Sequence, residues 1–486
     1  MGEVSLKDVS SICPECHNVI PAKLTKEAGM VVMRKSCPHH GDFRDLYWSD
    51  FDQWERARKY AVVGDGLENP RTLTVKGCPF DCGICQNHRS QTILSIIDVT
   101  NRCNLRCPIC FANAASAGYE YELSFDTIKT IIDNLSENRP VSVKALQLSG
   151  GEPTLRNDLP EIVNYAHAKG IHHVEVNTNG VRIANDMPYL KRLKEADVSS
   201  FYLQFDGVTS DPYMITRGID LLPTKLKAIE NLKSLGHDST ILVVTLVKGV
   251  NDNQLGRIIN FAAKNHGVIR CVNVQPVSIT GRIDRNKLAE YRITIPDFMR
   301  LVEEQTNGQI LRSDFLPVPF VVPFARAVGA LKGSRYPEFT MHEHCGMATF
   351  VFIQDGRITP ITRYADVESF MSSMNEVAEL VRAGHTMRAK FKMVQSLKHL
   401  NMKIVRPLVS GVIREGTYDA LGQLMRQVIM IGAMHFMDPY NFDLERVQRC
   451  GIHYGLPDGR IIPFCTMNSI HREEIERKLA RPIAVT

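Results

Sequence analysis

The stretch Asp98-Val99-Thr100-Asn101-Arg102-Cys103-Asn104-Leu105-Arg106-Cys107-Pro108-Ile109-Cys110-Phe111 decides how this chain is read. It places a C-x3-C-x2-C pattern directly after an apolar run, Ile93 to Val99. Three thiolates at that spacing can ligate three irons of a [4Fe–4S] cube and leave the fourth iron open. An open iron is what a cluster needs if a small molecule is to chelate it. The short spacing also keeps all three ligands in one loop, which removes most of the entropy cost of gathering them.

Outward from this loop, residues 93–280 alternate apolar runs with amphipathic helical runs. The runs at 93–99, 145–148, 173–177, 201–205, 240–247 and 271–277 predict strands. The segments at 124–135, 159–167, 189–195, 225–235 and 255–265 predict helices, the first with Ser124 as its N-cap. Six strands with intervening helices predict an α/β fold, a partial (β/α)6 barrel of TIM type, with its chemistry at the C-terminal ends of the strands. The second strand ends in Ser149-Gly150-Gly151-Glu152-Pro153, where paired glycines let backbone approach a ligand closely. The third ends in Asn177-Thr178-Asn179-Gly180 and the fourth in Gln204-Phe205-Asp206-Gly207. Both put polar side chains at the rim, although Asn-Gly and Asp-Gly are also plain turn formers. Gln275 and Pro276 close the sixth strand.

The cysteine motif, Phe111 after it, its place after the first strand and the Gly-Gly-Glu-Pro element together resemble the radical S-adenosylmethionine (SAM) superfamily. The resemblance implies that Cys103, Cys107 and Cys110 hold the cluster and that its open iron takes the amino and carboxylate groups of SAM. One electron then breaks the sulfonium bond and releases a 5′-deoxyadenosyl radical. It also implies that Gly150, Gly151, Glu152 and Pro153 lie at the methionine end of SAM, with Asn177, Asn179, Gln204 and Asp206 at its ribose and carboxylate. No residue stands out as a general acid or base, and radical abstraction needs none.

The chain has thirteen cysteines, and nine of them fall in three tight groups before residue 111. Grouping of that kind reads as metal binding rather than a disulfide framework. Cys13-Pro-Glu-Cys16 and Cys37-Pro-His-His40 form two knuckles that can share one tetrahedral ion, Zn2+ or a rubredoxin-like iron. His40 is the expected fourth ligand and His39 the alternative. Cys78, Cys82 and Cys85 repeat the C-x3-C-x2-C spacing without a strand before them or a Gly-Gly element after. They predict an auxiliary [4Fe–4S] cluster, with His88 as a candidate fourth ligand. Cys450 and Cys465 bracket a predicted Asp-Gly hairpin. With Cys345 they predict a second auxiliary cluster, for which the sequence names no fourth ligand.

The expected division is a rubredoxin-like or zinc-ribbon-like metal module at 1–60, an auxiliary Fe–S segment at 61–92, the core at 93–280 and a C-terminal auxiliary-cluster and substrate region at 281–486. The net charge of +5 over 486 residues gives no case for a nucleic-acid partner. No signal peptide or membrane-spanning run is present, so the expected location is the cytoplasm. Residues 382–406 carry Arg382, Arg388, Lys390, Lys392, Lys398, Lys403 and Arg406 with no acidic residue, and interleave Met387, Phe391, Val394, Leu397 and Ile404. That predicts a basic amphipathic helix, a candidate for peripheral contact with a membrane. The whole layout resembles the archaeal tetraether lipid synthase group and its pterin-methyltransferase-like relatives. The resemblance implies coupling of lipid alkyl chains or, alternatively, methylation of a pterin-like small molecule. It also implies an electron donor such as ferredoxin or flavodoxin. A non-catalytic iron–sulfur protein is the third reading, which the pairing of an open-iron motif with Gly-Gly-Glu-Pro argues against.

Overall fold

The structure, a computed structural model, describes residues 4–480 apart from Asp355. The outermost residues of the expected first and last segments, 1–3 and 481–486, lie outside the described residues.

Alternating apolar and polar positions in the first fifty residues fold as an antiparallel meander. Its strands are β1 (Val4–Ile12), β2 (Val19–Glu27), β3 (Met30–Cys37) and β4 (Gly41–Trp48), paired in that order. A helix, Phe51–Arg58, follows, with Asp50 capping its N-terminus through the Gln53 amide. Trp48 and Trp54 are buried against the rest of the molecule.

The six expected core strands are present, each within about two residues of its predicted ends. They are β5 (Leu94–Thr100), β6 (Ala145–Gly150), β7 (His173–Thr178), β8 (Ser200–Gln204), β9 (Thr240–Leu246) and β10 (Ile269–Pro276). Each lies parallel to the next, as βαβ connections require. Ser124 caps the helix Phe125–Ser136 by accepting from the Thr127 amide, and Ile128, Ile131, Ile132 and Leu135 bury its inner face.

The sheet does not stop at residue 280. The C-terminal region supplies β11 (Leu316–Pro317), β12 (Gly346–Gln354), β13 (Arg357–Pro360), β14 (Ile429–Met434), β15 (Ile452–Gly455) and β16 (Ile461–Pro463). Strand β14 pairs parallel with β10, and β15 pairs parallel with β5, so the C-terminal region extends both edges of the core. The parallel run reads β15-β5-β6-β7-β8-β9-β10-β14, with β12 antiparallel outside β14 and β16 antiparallel outside β15.

Strand periodicity sorts the side chains. Leu146, Leu148, Val174, Val176, Phe201, Leu203, Val272 and Val274 join the apolar core. Their neighbours on the other face are Gln147, Ser149, Glu175, Asn177, Tyr202, Gln204, Asn273 and Gln275. These pair among themselves: Gln147 Nε2 donates to Glu175 Oε1 at 2.7 Å, and Gln275 Nε2 to Tyr202 Oη at 2.7 Å. The inside of the barrel is therefore polar.

One expected element is corrected. The basic stretch 382–406 is not a single amphipathic helix. Arg382 closes the helix Val367–Arg382, Gly384 adopts φ +81°, and a new helix spans Thr386–Ser396. Glycine in the left-handed region ends the first helix. Among the described residues, no helix is long and apolar enough to cross a membrane.

Candidate functional site

The cluster loop leaves β5 at Thr100 and is held from three directions. From β6, the Gly151 amide donates to Thr100 O at 2.7 Å and the Glu152 amide to Arg102 O at 2.8 Å. A Cβ on Gly150 would meet Thr100 O at 2.0 Å, and one on Gly151 would meet Arg102 O at 2.2 Å. The glycine pair thus lets the backbone ahead of Cys103 lie flat on the end of β6. From beyond β10, the Arg282 amide donates to Cys110 O at 3.0 Å. From the fourth βα connection, the Ile109 amide donates to Thr216 O, and Arg217 Nη1 donates to Ile109 O.

Cys103, Cys107 and Cys110 are all partly exposed at this loop. Burial pushes the Cys103 thiol up to about 12. Cluster binding must therefore supply the charge that makes it a thiolate. Burial also raises the Cys107 thiol, and the nearby Arg217 guanidinium opposes that shift.

The eight expected cofactor positions separate by what they are free to do. Gly150, Gly151 and Pro153 act through the backbone. Glu152 is 1 % exposed and its carboxylate is occupied. Oε1 accepts from Thr154 N, Thr154 Oγ1 and Thr178 Oγ1, and Oε2 from the Asn179 amide at 2.7 Å. Asp206 is fully buried and accepts from Arg217 Nε at 2.6 Å, Arg217 Nη2, Thr216 Oγ1, Gln204 Nε2 and the Thr245 amide. Asn179 joins Asn104 of the cluster loop to the Val181 amide. These three side chains brace the rim. Asn177 keeps one side-chain bond, to Ser149. Gln204 has a buried Oε1 with no partner among the described residues. Asn177 and Gln204 are the side chains left to meet a ligand. Gln275 is committed to Tyr202.

Three contributors were not legible in the sequence. Arg217 joins Asp206, the cluster loop and Cys107. Lys225, fully buried, donates to Asn179 O, and burial pushes its amine down to about 7. Gly281, at φ +63°, lies where a Cβ would meet Phe111 O at 2.3 Å.

The N-terminal knuckles converge. The ligand atoms of Cys13, Cys16, Cys37 and His40 lie within 4.8 Å of one another. His40 Nδ1 is 3.6 Å from Cys13 Sγ and 3.5 Å from Cys37 Sγ, and Cys16 Sγ is 3.9 Å from Cys37 Sγ. Metal–sulfur bonds of ~2.3 Å in a tetrahedron set ligand atoms about 3.8 Å apart, so this group fits one ion. His40 completes it rather than His39. The His39 amide, with His40, holds the Cys37 thiol down to about 6, ready as a thiolate.

At the first auxiliary segment, the Asp81 carboxylate accepts from the Val75, Lys76 and Gly77 amides and closes the loop carrying Cys78, Cys82 and Cys85. Contact with Cys78 and burial push the Cys82 thiol well above its usual range, while His471 faces it from the C-terminal segment. His471 is a fourth-ligand candidate the sequence did not suggest. His88 Nε2 lies 2.7 Å from Cys450 O, so that nitrogen is committed.

The late cysteines also meet. Cys345, Cys450 and Cys465 line one enclosed cavity together with His435 and Arg446. The predicted hairpin between Cys450 and Cys465 is β15–β16. Between this cavity and the SAM-site loop runs a stack of aromatic rings. Phe436 packs on Phe464 with centroids 3.8 Å apart, and Phe111 and Tyr454 each sit 5.6 Å from Phe464. Phe111 adjoins Cys110 and Phe464 adjoins Cys465, so the stack joins the two cysteine sites.

Comparison with known proteins agrees with this arrangement. The description of the radical SAM superfamily matches residues 97–262, and that of an HMPTM N-terminal zinc ribbon domain matches residues 5–49. The chain is 48% identical over 490 residues to the 7,8-dihydro-6-hydroxymethylpterin dimethyltransferase of Methanocaldococcus jannaschii, covering 98% of this chain and 96% of that protein. It is 37% identical over 142 residues to the Fe-coproporphyrin III synthase of Methanosarcina barkeri, covering 29% of this chain and 33% of that one. Among solved structures, SuiB of Streptococcus suis bound to precursor peptide SuiA aligns with a TM-score of 0.37 and 18% identity, over 46% of this chain and 47% of that one.

Proposed function

Because the chain belongs to the radical SAM family that includes the M. jannaschii pterin dimethyltransferase, and is therefore a radical SAM enzyme, we propose that it methylates a reduced pterin. The observation that carries this reading is the full-length similarity to that relative. The polar inner face of the barrel supports it, since a flat heterocycle rich in ring nitrogens needs donors and acceptors around it. The aromatic stack beside the SAM loop adds faces on which such a ring can lie.

The cluster, when bound, supplies the electron that cleaves SAM to a 5′-deoxyadenosyl radical. The chain holds it through Cys103, Cys107 and Cys110. Gly151 and Glu152 fix the loop by their amides, and Arg217 sets positive charge beside Cys107. Asn177 and Gln204 orient SAM from the rim. Cys13, Cys16, Cys37 and His40 hold one zinc ion. Cys78, Cys82 and Cys85 hold one auxiliary cluster, and Cys345, Cys450 and Cys465 a second. A ferredoxin or flavodoxin donates the electron.

One observation favours the second reaction, coupling of lipid chains. The helix Thr386–Ser396 buries Ala389 and Met393 but exposes Met387 (78 %), Phe391 (72 %) and Val394 (62 %) beside Arg388 and Lys390. An outward apolar stripe among cations suits an anionic membrane surface. The test is anaerobic turnover with SAM and dithionite, offered 7,8-dihydro-6-hydroxymethylpterin or archaeal diether lipid. For the pterin, one SAM gives the radical that takes a hydrogen atom, a second gives its methyl group and leaves as S-adenosylhomocysteine, and dithionite supplies both electrons. A methylated pterin made together with 5′-deoxyadenosine supports the first reading. A cross-linked lipid with no pterin product replaces it with the second.

A further inference from the structure

Four sequence-distant segments meet at the C-terminal cavity. Cys345 lies just before β12, His435 just after β14, Cys450 just before β15 and Cys465 just after β16. The His435 amide donates to Cys345 O at 2.9 Å, which fixes the histidine beside the first cysteine. The His435 side chain is 1 % exposed, and among the described residues neither of its ring nitrogens has a hydrogen-bond partner. A buried imidazole is normally satisfied, because leaving both nitrogens unpaired is costly. This one lines a cavity with three thiols and has a lone pair to give.

Charge points the same way. Arg446, 2 % exposed, donates from Nε to Cys345 Sγ at 3.4 Å and from Nη2 to His435 O at 2.7 Å. Among the described residues no carboxylate forms an ion pair with it. A buried guanidinium needs an anion nearby, and thiolates on an iron–sulfur cluster provide one. Two backbone amides aim at the other sulfurs, Met437 N at Cys465 Sγ (3.3 Å) and Ile452 N at Cys450 Sγ (3.4 Å). Hydrogen bonds of that kind tune cluster potentials. Unlike the N-terminal four, no three of these ligand atoms fall within 4.8 Å of one another, which is too open for a single tetrahedral ion.

We propose that His435 is the fourth protein ligand of a [4Fe–4S] cluster held by Cys345, Cys450 and Cys465, with Arg446 as its buried counter-cation. The inference rests on the auxiliary-cluster reading above and deepens it. Four protein ligands leave no open iron. This cluster therefore carries electrons rather than chelating substrate, and its imidazole ligand sets its potential above that of an all-cysteine site. The aromatic stack through Phe464 leads from it to Phe111.

The test uses the full chain, purified anaerobically with 15N-labelled histidine. Cys103, Cys107 and Cys110, and likewise Cys78, Cys82 and Cys85, are replaced by Ala so that neither the SAM-site cluster nor the first auxiliary cluster, for which His471 is a candidate ligand, contributes. Pulsed EPR of the reduced protein is expected to show a directly coupled 15N nucleus. His435→Cys is expected to abolish that coupling, keep the iron and lower the midpoint potential. Cys450→Ala is expected to lose about four irons. No histidine coupling in the labelled parent, or coupling that survives His435→Cys, overturns the assignment of His435 while leaving the cluster intact. Unchanged iron in Cys450→Ala overturns the cluster itself.

Discussion

Gly151→Ala tests whether the glycine pair exists to seat the cluster loop. The new methyl would stand 2.2 Å from Arg102 O, with Arg102 C at 2.7 Å and Asn101 O at 2.7 Å. All three are backbone atoms one or two residues from Cys103, so no side chain can swing aside. Opening the closest contact to 3.0 Å moves that backbone by about 0.8 Å and stretches the two amide bonds from Gly151 and Glu152. Overpacking of this kind costs about 1–3 kcal/mol, and each weakened hydrogen bond about 1 kcal/mol more. The expected loss is about 3–5 kcal/mol of stability. A misplacement near 1 Å at a reacting centre costs on the order of 100-fold in rate. Gly170→Ala is the control: its φ of +81°, unlike that of Gly151, lies in the left-handed region, but nothing lies within 4 Å of the added Cβ. It should cost about 1–2 kcal/mol with no effect on SAM cleavage. The assays are urea unfolding and 5′-deoxyadenosine formation under dithionite. If Gly151→Ala cleaves SAM at the parent rate, the seating argument is wrong.

Arg217→Met should leave Asp206 buried without its partner and cost about 3–5 kcal/mol in urea melts. Adding Asp206→Asn should restore most of that stability but not SAM cleavage, because the charge beside Cys107 stays absent; full recovery of cleavage would reduce Arg217 to a structural role. Cys16→Ala should drop bound zinc, read by elemental analysis, from about one per chain to none. Iron at the SAM loop should be unaffected, and a parallel loss of all iron would contradict independent sites. Burial pushes the His88 imidazole down to about 4, below its unfolded value of 6.5. The unfolded chain then binds the extra proton, so this contribution is complete above pH 6.5 and is lost as pH falls toward 4. Between pH 7 and pH 5 it amounts to about 2 kcal/mol. His88→Asn should flatten the pH dependence of unfolding by that amount; an unchanged slope would mean that the ring is already charged in the fold.

The six core strands were legible because βα periodicity is a local signal, and their ends carried the Gly-Gly, Asn-Gly and Asp-Gly elements. The N-terminal ion site was legible because each knuckle holds two ligands in one turn. Strand β14 and the pairing of β15 with β5 were not, since the partners of both lie far off in the chain; β15 itself was legible as one arm of the hairpin between Cys450 and Cys465. Glu152 and Asp206 look like ligand residues in sequence because a carboxylate at a strand end is exposed chemistry until its donors are known. Those donors are Thr178, at the end of the next strand, and Arg217, on the helix that follows Asp206 in the same βα connection. Arg217 and His435 carry no motif at all; only burial beside thiols distinguishes them. The stretch 382–406 misled because its composition is helical throughout, while Gly384 and the residues at 397–404 interrupt it.

Strands β14 and β15 have a consequence for how the protein is made. Residue Ile452 pairs with Leu94. At ~5–20 residues per second, the ribosome delivers β15 roughly 20–70 s after β5. Until then the nascent barrel presents two unpaired parallel edges, β5 and β10, to the cell. The loop that takes the SAM-site cluster is braced by residues up to Arg282 and is complete about midway through that interval. The C-terminal cavity needs Cys465 and exists only at its close. Any cofactor of that cavity would thereby be the last that the growing chain can accept, in the segment that seals both edges of the sheet.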